Sequence, residues 1–192
     1  MERCRLVFSG SGGQGVITAA IILAEAAVLY ENLSAVQSQV YGPAARGGAT
    51  RTDVIISESN INFPKVIQPN VLVCLTQEAY NKYYPIIRPG GLLITDSRFV
   101  KIQRKVDAQQ KELAMYQHVM ESIGKPIVFN ICMLGAVVAF TKIVKPDSIM
   151  EVLKERIPSG FLKMNREALN LGMTLAENAK AHIGERSIII DA

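Results

Sequence analysis

The chain has 192 residues, 49% hydrophobic and 20% charged, with a net charge of +4. That length is read as one α/β domain over 1–192 with a sizeable core, and its apolar share fits surface buried against another chain or a larger core. The basic residues are scattered and do not interleave with the six Tyr and six Phe, which argues against a nucleic-acid partner.

Residues 5–8 form a short apolar strand, and glycines from Gly10 to Gly15 form a loop. Residues 16–30, rich in Ala, Ile and Leu on most faces, form a helix covered on both sides, ended by Asn32. Residues 34–40 and 50–57 read as strands, and the link between them is too short for a parallel crossover, so if they pair they pair antiparallel. Residues 60–64 are a turn region. The continuous apolar run 71–75 is a central strand. Thr76 caps a helix over 77–87, closed by Pro89-Gly90-Gly91. The next strand, 92–95, ends at Asp96. A short strand is expected around 102–106 and a helix over 111–123, stopped by Gly124-Lys125-Pro126.

The last third reads as three helices, 129–142, 146–157 and 164–183, the second opened by Pro146 in its first turn. The apolar run 127–140 is too short to span a bilayer, which takes about 20 residues. It carries Asn130 and reads as a core helix, so no membrane partner is expected. The tail Ser187-Ile188-Ile189-Ile190 has no local partner and suits a sheet edge or another subunit. The pattern is a three-layer α/β/α sandwich with a mixed, Rossmann-like sheet.

Two glycine-rich loops carry the functional signal. The first is Ser9-Gly10-Ser11-Gly12-Gly13-Gln14-Gly15, between strand and helix. Such a turn presents backbone N–H groups and a helix dipole to an anion. It fits the dinucleotide fingerprint literally, yet residues 34–40 offer no acid for a ribose, and no Gly-Lys-Ser/Thr follows. The bland alternative is that the glycines let the first helix pack closely on its strand. The second loop is Tyr41-Gly42-Pro43-Ala44-Ala45-Arg46-Gly47-Gly48, with Arg51 on the following strand. Arg46 suits bidentate binding of a phosphate or carboxylate, or of a neighbouring subunit's carboxylate.

Catalytic groups are hard to find. His118 and His182 have no evident partner and read as surface residues; Asp53 and Asp96 sit apart on strands, and there is no GxSxG elbow. Cys4, Cys74 and Cys132 are far apart without a CxxC, which argues against a zinc or iron–sulfur ligand set and for buried, reduced thiols. The amino terminus runs straight into a strand without a signal peptide, so a cytoplasmic location is expected. Alone, the chain does not read as a complete enzyme.

The two loops together resemble the gamma subunit of 2-oxoacid:ferredoxin oxidoreductases, and the likeness extends through residues 53–57 and 64–70, Asn130 and Leu134-Gly135. Tyr41-Gly42-Pro43 before Arg46-Gly47-Gly48 is most similar to the 2-oxoglutarate type. Pyruvate-type subunits usually show an acidic residue and Arg-Arg-Gly-Ala there, and indolepyruvate-type subunits lack the Tyr-Gly-Pro lead. Asn70 departs from the aspartate common before the central strand.

The resemblance implies a multi-subunit enzyme that decarboxylates a 2-oxoacid oxidatively, forms an acyl-CoA and reduces ferredoxin. Thiamine diphosphate, Mg²⁺ and iron–sulfur clusters are implied on partner alpha, beta and delta (ferredoxin-like) subunits, with ferredoxin as electron acceptor and coenzyme A as co-substrate. No catalytic residue or bound cofactor is expected on this chain alone. Gly10, Ser11, Gly12, Gly13, Gln14, Gly15, Tyr41, Gly42, Pro43, Arg46, Gly47 and Gly48 are expected to face nucleotide phosphates or the interface near the thiamine site. A free-standing Rossmann-like nucleotide- or phosphate-binding module is the alternative. A self-sufficient dehydrogenase fails on the missing ribose acid and catalytic pair.

Overall fold

The computed structural model describes residues 3–40 and 49–181. Strand β1 (Arg3–Gly10) leads into helix α1 (Val16–Tyr30), then β2 (Ser34–Val40), β3 (Thr50–Ser57) and β4 (Val71–Cys74). Helix α2 (Gln77–Tyr83), β5 (Gly91–Asp96), β6 (Ala108–Leu113) and α3 (Met115–Ser122) follow, then α4 (Phe129–Thr141), α5 (Pro146–Arg156) and α6 (Leu162–Ala181). The six strands form one sheet in the order β2-β3-β1-β4-β5-β6. β3 is antiparallel to both neighbours, and β1, β4, β5 and β6 run parallel. The sheet is therefore mixed, as the short link between β2 and β3 requires.

The side-chain alternation of the strands divides the core into two layers. Leu6, Phe8, Val54, Ile56, Val73 and Ile94 face α1 and α3 to α6, whereas Val7, Ile55, Leu72 and Leu93 face α2 and its flanking loops. The sandwich is lopsided, with five helices on one side and one on the other. β4 and β5 are buried along their whole length, which explains their unbroken apolar runs.

Helix α4 is the centre of the thick layer, and all 13 of its residues are buried. It crosses α6 at two glycines: a Cβ at Gly135 would overlap the carbonyl of Leu169, and one at Gly172 the carbonyl of Cys132. Backbone thus touches backbone. Cys4, Cys74 and Cys132 are buried; burial pushes the Cys132 thiol up to about 12 and raises that of Cys74 as well.

Two expectations need correction. No strand forms around 102–106; the sixth strand is Ala108–Leu113, taking residues expected to open a helix, so α3 starts only at Met115. Ala-Gln-Gln-Lys-Glu-Leu favours helix locally, but the ladder from Gly91↔Ala108 to Asp96↔Leu113 overrides that preference. The helix expected over 77–87 stops at Tyr83 and tightens into a 3-10 turn, Tyr84–Ile86. Pro85 is the cause, since it lacks an N–H and crowds the preceding turn. Thr76 caps α2 as expected, its hydroxyl accepting from the Ala79 N–H at 3.1 Å. The apolar tail 187–190 lies outside the described residues.

Candidate functional site

The chain leaves β1 for α1 on one face of the sheet, and leaves the adjacent parallel β4 for α2 on the other. Ligands in open α/β sheets bind at such a switch, outside the carboxyl ends of the strands. The first glycine loop occupies it. Gly13 and Gly15 have φ of 90° and 70°, conformations that favour glycine. Gly15 is the N-cap of α1, with no side-chain cap hydrogen bond and no acidic residue in the first turn. The first N–H groups of α1 and its positive dipole end therefore face outward from an exposed turn, the setting that attracts an anion.

Gln14 ties the turn to the neighbouring strand end. Its Oε1 accepts from the Ser11 N–H at 2.8 Å, and its Nε2 donates to the Leu75 carbonyl at 3.2 Å across the switch point. Gly10 is buried against this arrangement; a Cβ there would lie 2.5 Å from Gln14 Oε1. Ser11, Gly12 and Gly13 form the exposed crest of the turn, and a Cβ at Gly12 meets nothing within 4 Å.

Asn130, in the first turn of α4, holds the other side. Its Nδ2 donates to the Gly15 carbonyl at 3.3 Å, and a Cβ on Gly15 would sit 2.6 Å from that nitrogen. Asn130 is 7% exposed, and its Oδ1 is buried without a partner among the described residues. Beside it opens a cavity of about 400 Å³ between the glycine turn, the start of α4, the end of α5 and the start of α6. Ile22, Ile127, Leu153, Phe161 and Met164 line it with Asn130, and no ionisable side chain does so among the described residues. An apolar, uncharged groove thus adjoins an anion-attracting turn.

Tyr41, Gly42, Pro43, Arg46, Gly47 and Gly48 lie outside the described residues. The flanking strand ends are described: Val40 pairs with Arg51, and Gly10 with Thr50, so the end of β2, the start of β3 and the end of β1 lie at the same end of the sheet. Ala49 donates its N–H to Glu78 Oε1 in the first turn of α2 at 3.2 Å. Arg51 is committed internally. Its guanidinium meets Asp53 in a bidentate pair at 2.7 and 3.0 Å, donates to the Val66 carbonyl and lies over the Tyr83 ring. Asp53, read as isolated, is therefore an ion-pair partner.

Asp96 is fully buried at the end of β5. Burial raises its carboxyl above the ordinary value, against the N–H groups of Tyr116 and Arg98 that bond it; its role is to hold the start of α3. His118 is half-buried rather than on the surface, and its Nδ1 has no partner among the described residues; His182 lies outside them. No group of three or more His, Cys, Asp and Glu that could hold a metal occurs among the described residues. The three sealed thiols, on β1, β4 and α4, do not fit an iron–sulfur centre. Asn130 and Glu78 are the site residues that the sequence did not mark as such. A lone polar residue in an apolar helix was the available signal for Asn130.

A mixed, one-sheet α/β fold with an uncapped glycine turn at its switch point defines a Rossmann-like protein. The family model for pyruvate ferredoxin/flavodoxin oxidoreductase matches residues 5–175, and the chain belongs to that family. It is 42% identical over 177 residues to the 2-oxoglutarate synthase subunit KorC of Methanocaldococcus jannaschii, covering 91% of this chain and 95% of that one. The crystal structure of a keto/oxoacid ferredoxin oxidoreductase gamma subunit from Geobacter sulfurreducens superposes with a TM-score of 0.86 at 38% identity, covering 93% of this chain and 99% of that one. A 2-oxoglutarate:ferredoxin oxidoreductase from Magnetococcus marinus, solved with 2-oxoglutarate, coenzyme A and succinyl-CoA bound, shares the fold with a TM-score of 0.83 at 20% identity, over 93% of this chain and 32% of that one.

Proposed function

We propose that this chain is the gamma subunit of a 2-oxoglutarate:ferredoxin oxidoreductase, active only with companion chains, and that its glycine turn faces coenzyme A. The carrying observation is the uncapped turn beside an uncharged groove, on a chain 42% identical to a 2-oxoglutarate synthase subunit along nearly its whole length. Coenzyme A joins a pyrophosphate to a long uncharged arm bearing amides, and the two parts of this site suit those two chemistries.

In this reading the N–H groups at the start of α1 hold phosphate oxygens, and Gly12 and Gly13 let backbone approach them closely. The apolar groove receives the arm, and Gln14 and Asn130 keep the turn in shape. Arg46 contributes a guanidinium to the phosphates. Thiamine diphosphate and the redox centres sit on partner chains of the complex, and this chain moves no electron. It acts as one domain that binds and orients the thiol co-substrate.

The test is steady-state kinetics of the assembled enzyme carrying Arg46→Ala. The expected result is a KM for coenzyme A raised by roughly tenfold or more, the effect of removing a charge-assisted contact, with the KM for the oxoacid unmoved. An unchanged KM for coenzyme A overturns the assignment.

A further inference from the structure

Helix α1 is apolar all round: of its 15 residues only Glu25 is charged, and that carboxylate is taken up by Arg156 of α5. A helix of this kind is expected to be covered on every side. Its inner face lies on β2 and β3, and α5 and α4 pack along one flank. The opposite flank has no helix over it among the described residues. There Ile17, Ile21, Ala24 and Val28, which fall within about 60° of one another around the helix, form a stripe. The first three are half-buried, and Val28 is 47% exposed.

The stripe runs beside an open sheet edge. β2 is the terminal strand, paired among the described residues on one side only, with β3. Ala35 and Gln37 stand opposite Ile56 and Val54, which face α1, so they lie on the same face of the sheet as the stripe. Edge strands are ordinarily guarded by charge or proline. The other edge, β6, carries Lys111 and Glu112, whereas residues 32–40 contain neither a charged residue nor a proline.

Strand spacing identifies the occupant. A two-fold axis beside β2 pairs the strand antiparallel with its own copy and joins the two sheets into one. Because α1 straddles β2 and β3, each copy of it then lies about one strand spacing from the axis. Two spacings are roughly 10 Å, close to the separation of about 8–10 Å at which helices pack. The small Ala24 lets the two backbones approach. No charge in the stripe or the strand is set against its own copy, the penalty that a two-fold contact imposes on a charged patch.

We propose that the β2 edge and the α1 stripe form a docking surface for a second copy of this chain, with β2 paired to β2 and α1 packed on α1. The glycine turn, at the end of β1 two strands inward, stays open. The groove beside Asn130 takes Thr18 and Ile22 from the other flank of α1, so this surface does not depend on the co-substrate reading.

Sedimentation equilibrium of the purified full chain is the test. A particle of twice the 21.0 kDa of one chain is expected, dissociating on dilution. Ala24→Lys with Val28→Lys sets like charges against each other and should weaken dimerisation by roughly a hundredfold or more. Ala24→Glu with Val28→Glu should do the same, and an equimolar mixture of the two variants should form a mixed dimer. That recovery shows both variants to be folded, and contact through any other surface would not produce it. In the wild type, amide hydrogen exchange in β2 should slow as concentration rises past the dissociation constant, a readout that needs no variant. A wild-type chain that keeps the mass of one copy up to roughly 0.1 mM overturns the docking surface, as does a dimer that the paired lysines leave intact. A chain that is monomeric alone, and whose lysine variant loses affinity for companion subunits, gives this face to a different chain and likewise overturns it.

Discussion

Gly12 and Gly15 sit three residues apart in one turn and answer to different physics. Gly15 has φ of 70° and presses on Asn130, so a side chain there is strained by backbone and neighbour alike. Gly15→Ala is expected to lower unfolding free energy by about 2 kcal/mol, the cost of a left-handed non-glycine residue plus displacement of the amide. Gly12 has open space around its Cβ position. Gly12→Ala should leave stability within about 0.5 kcal/mol while raising the KM for coenzyme A in the assembled enzyme. Urea denaturation and kinetics of the same two variants separate a glycine kept for folding from one kept for ligand approach. A Gly12→Ala enzyme with unaltered KM would mean that no ligand comes close to that position.

The helices of the thick layer are joined by polar ties that sequence spacing conceals. Glu31, just past α1, accepts the Ser148 hydroxyl at 2.5 Å and the Lys145 N–H at 2.8 Å, and so anchors the start of α5. Burial alone would raise its carboxyl, but these hydrogen bonds and the Lys145 ammonium outweigh it and hold the group below its ordinary value. The native state therefore binds fewer protons than the unfolded chain in that interval, and stability rises with pH across it. Glu31→Gln should cost about 1 kcal/mol at pH 7. The gap between variant and wild type should close as pH falls through the carboxylate range and Glu31 becomes protonated. Urea melts of both proteins at a series of pH values check this; a gap of constant size down to acid pH would exclude the carboxylate charge as its source.

Much of this was readable in advance at the level of elements. α1, β2 and β3 fall at the expected limits, because glycine turns and apolar runs punctuate them sharply. The pair Arg51 and Asp53 was also within reach, since residues two apart on a strand share a face. β6 was not. Its residues favour helix, and pairing with β5 sets them in the sheet, where Lys111 and Leu113 are buried. Asn130 stood out as a polar residue, but its partner Gly15 is 115 positions away.

For the molecule entire, the decisive contact is the crossing of α4 and α6, where Gly135 and Gly172 bring the two backbones together. Gly172→Ala places a Cβ in the Cys132 carbonyl and forces the helices apart. Overpacking of this kind costs about 3 kcal/mol, expected as an earlier urea midpoint with unchanged slope. It should also distort the groove beside Asn130, since α4 and α6 form two of its walls. A midpoint equal to that of wild type would show that the crossing tolerates separation.

Local chemistry in the chain determined the glycine turn, the strands β1 to β5 and the antiparallel β3, because these follow from side-chain size, backbone freedom and link length. The sixth strand, the pairing of Asn130 with Gly15, and the opening of an uncharged groove beside the turn were decided only in three dimensions. Each depends on groups distant in sequence, or on competition between partners, whose outcome packing alone resolves.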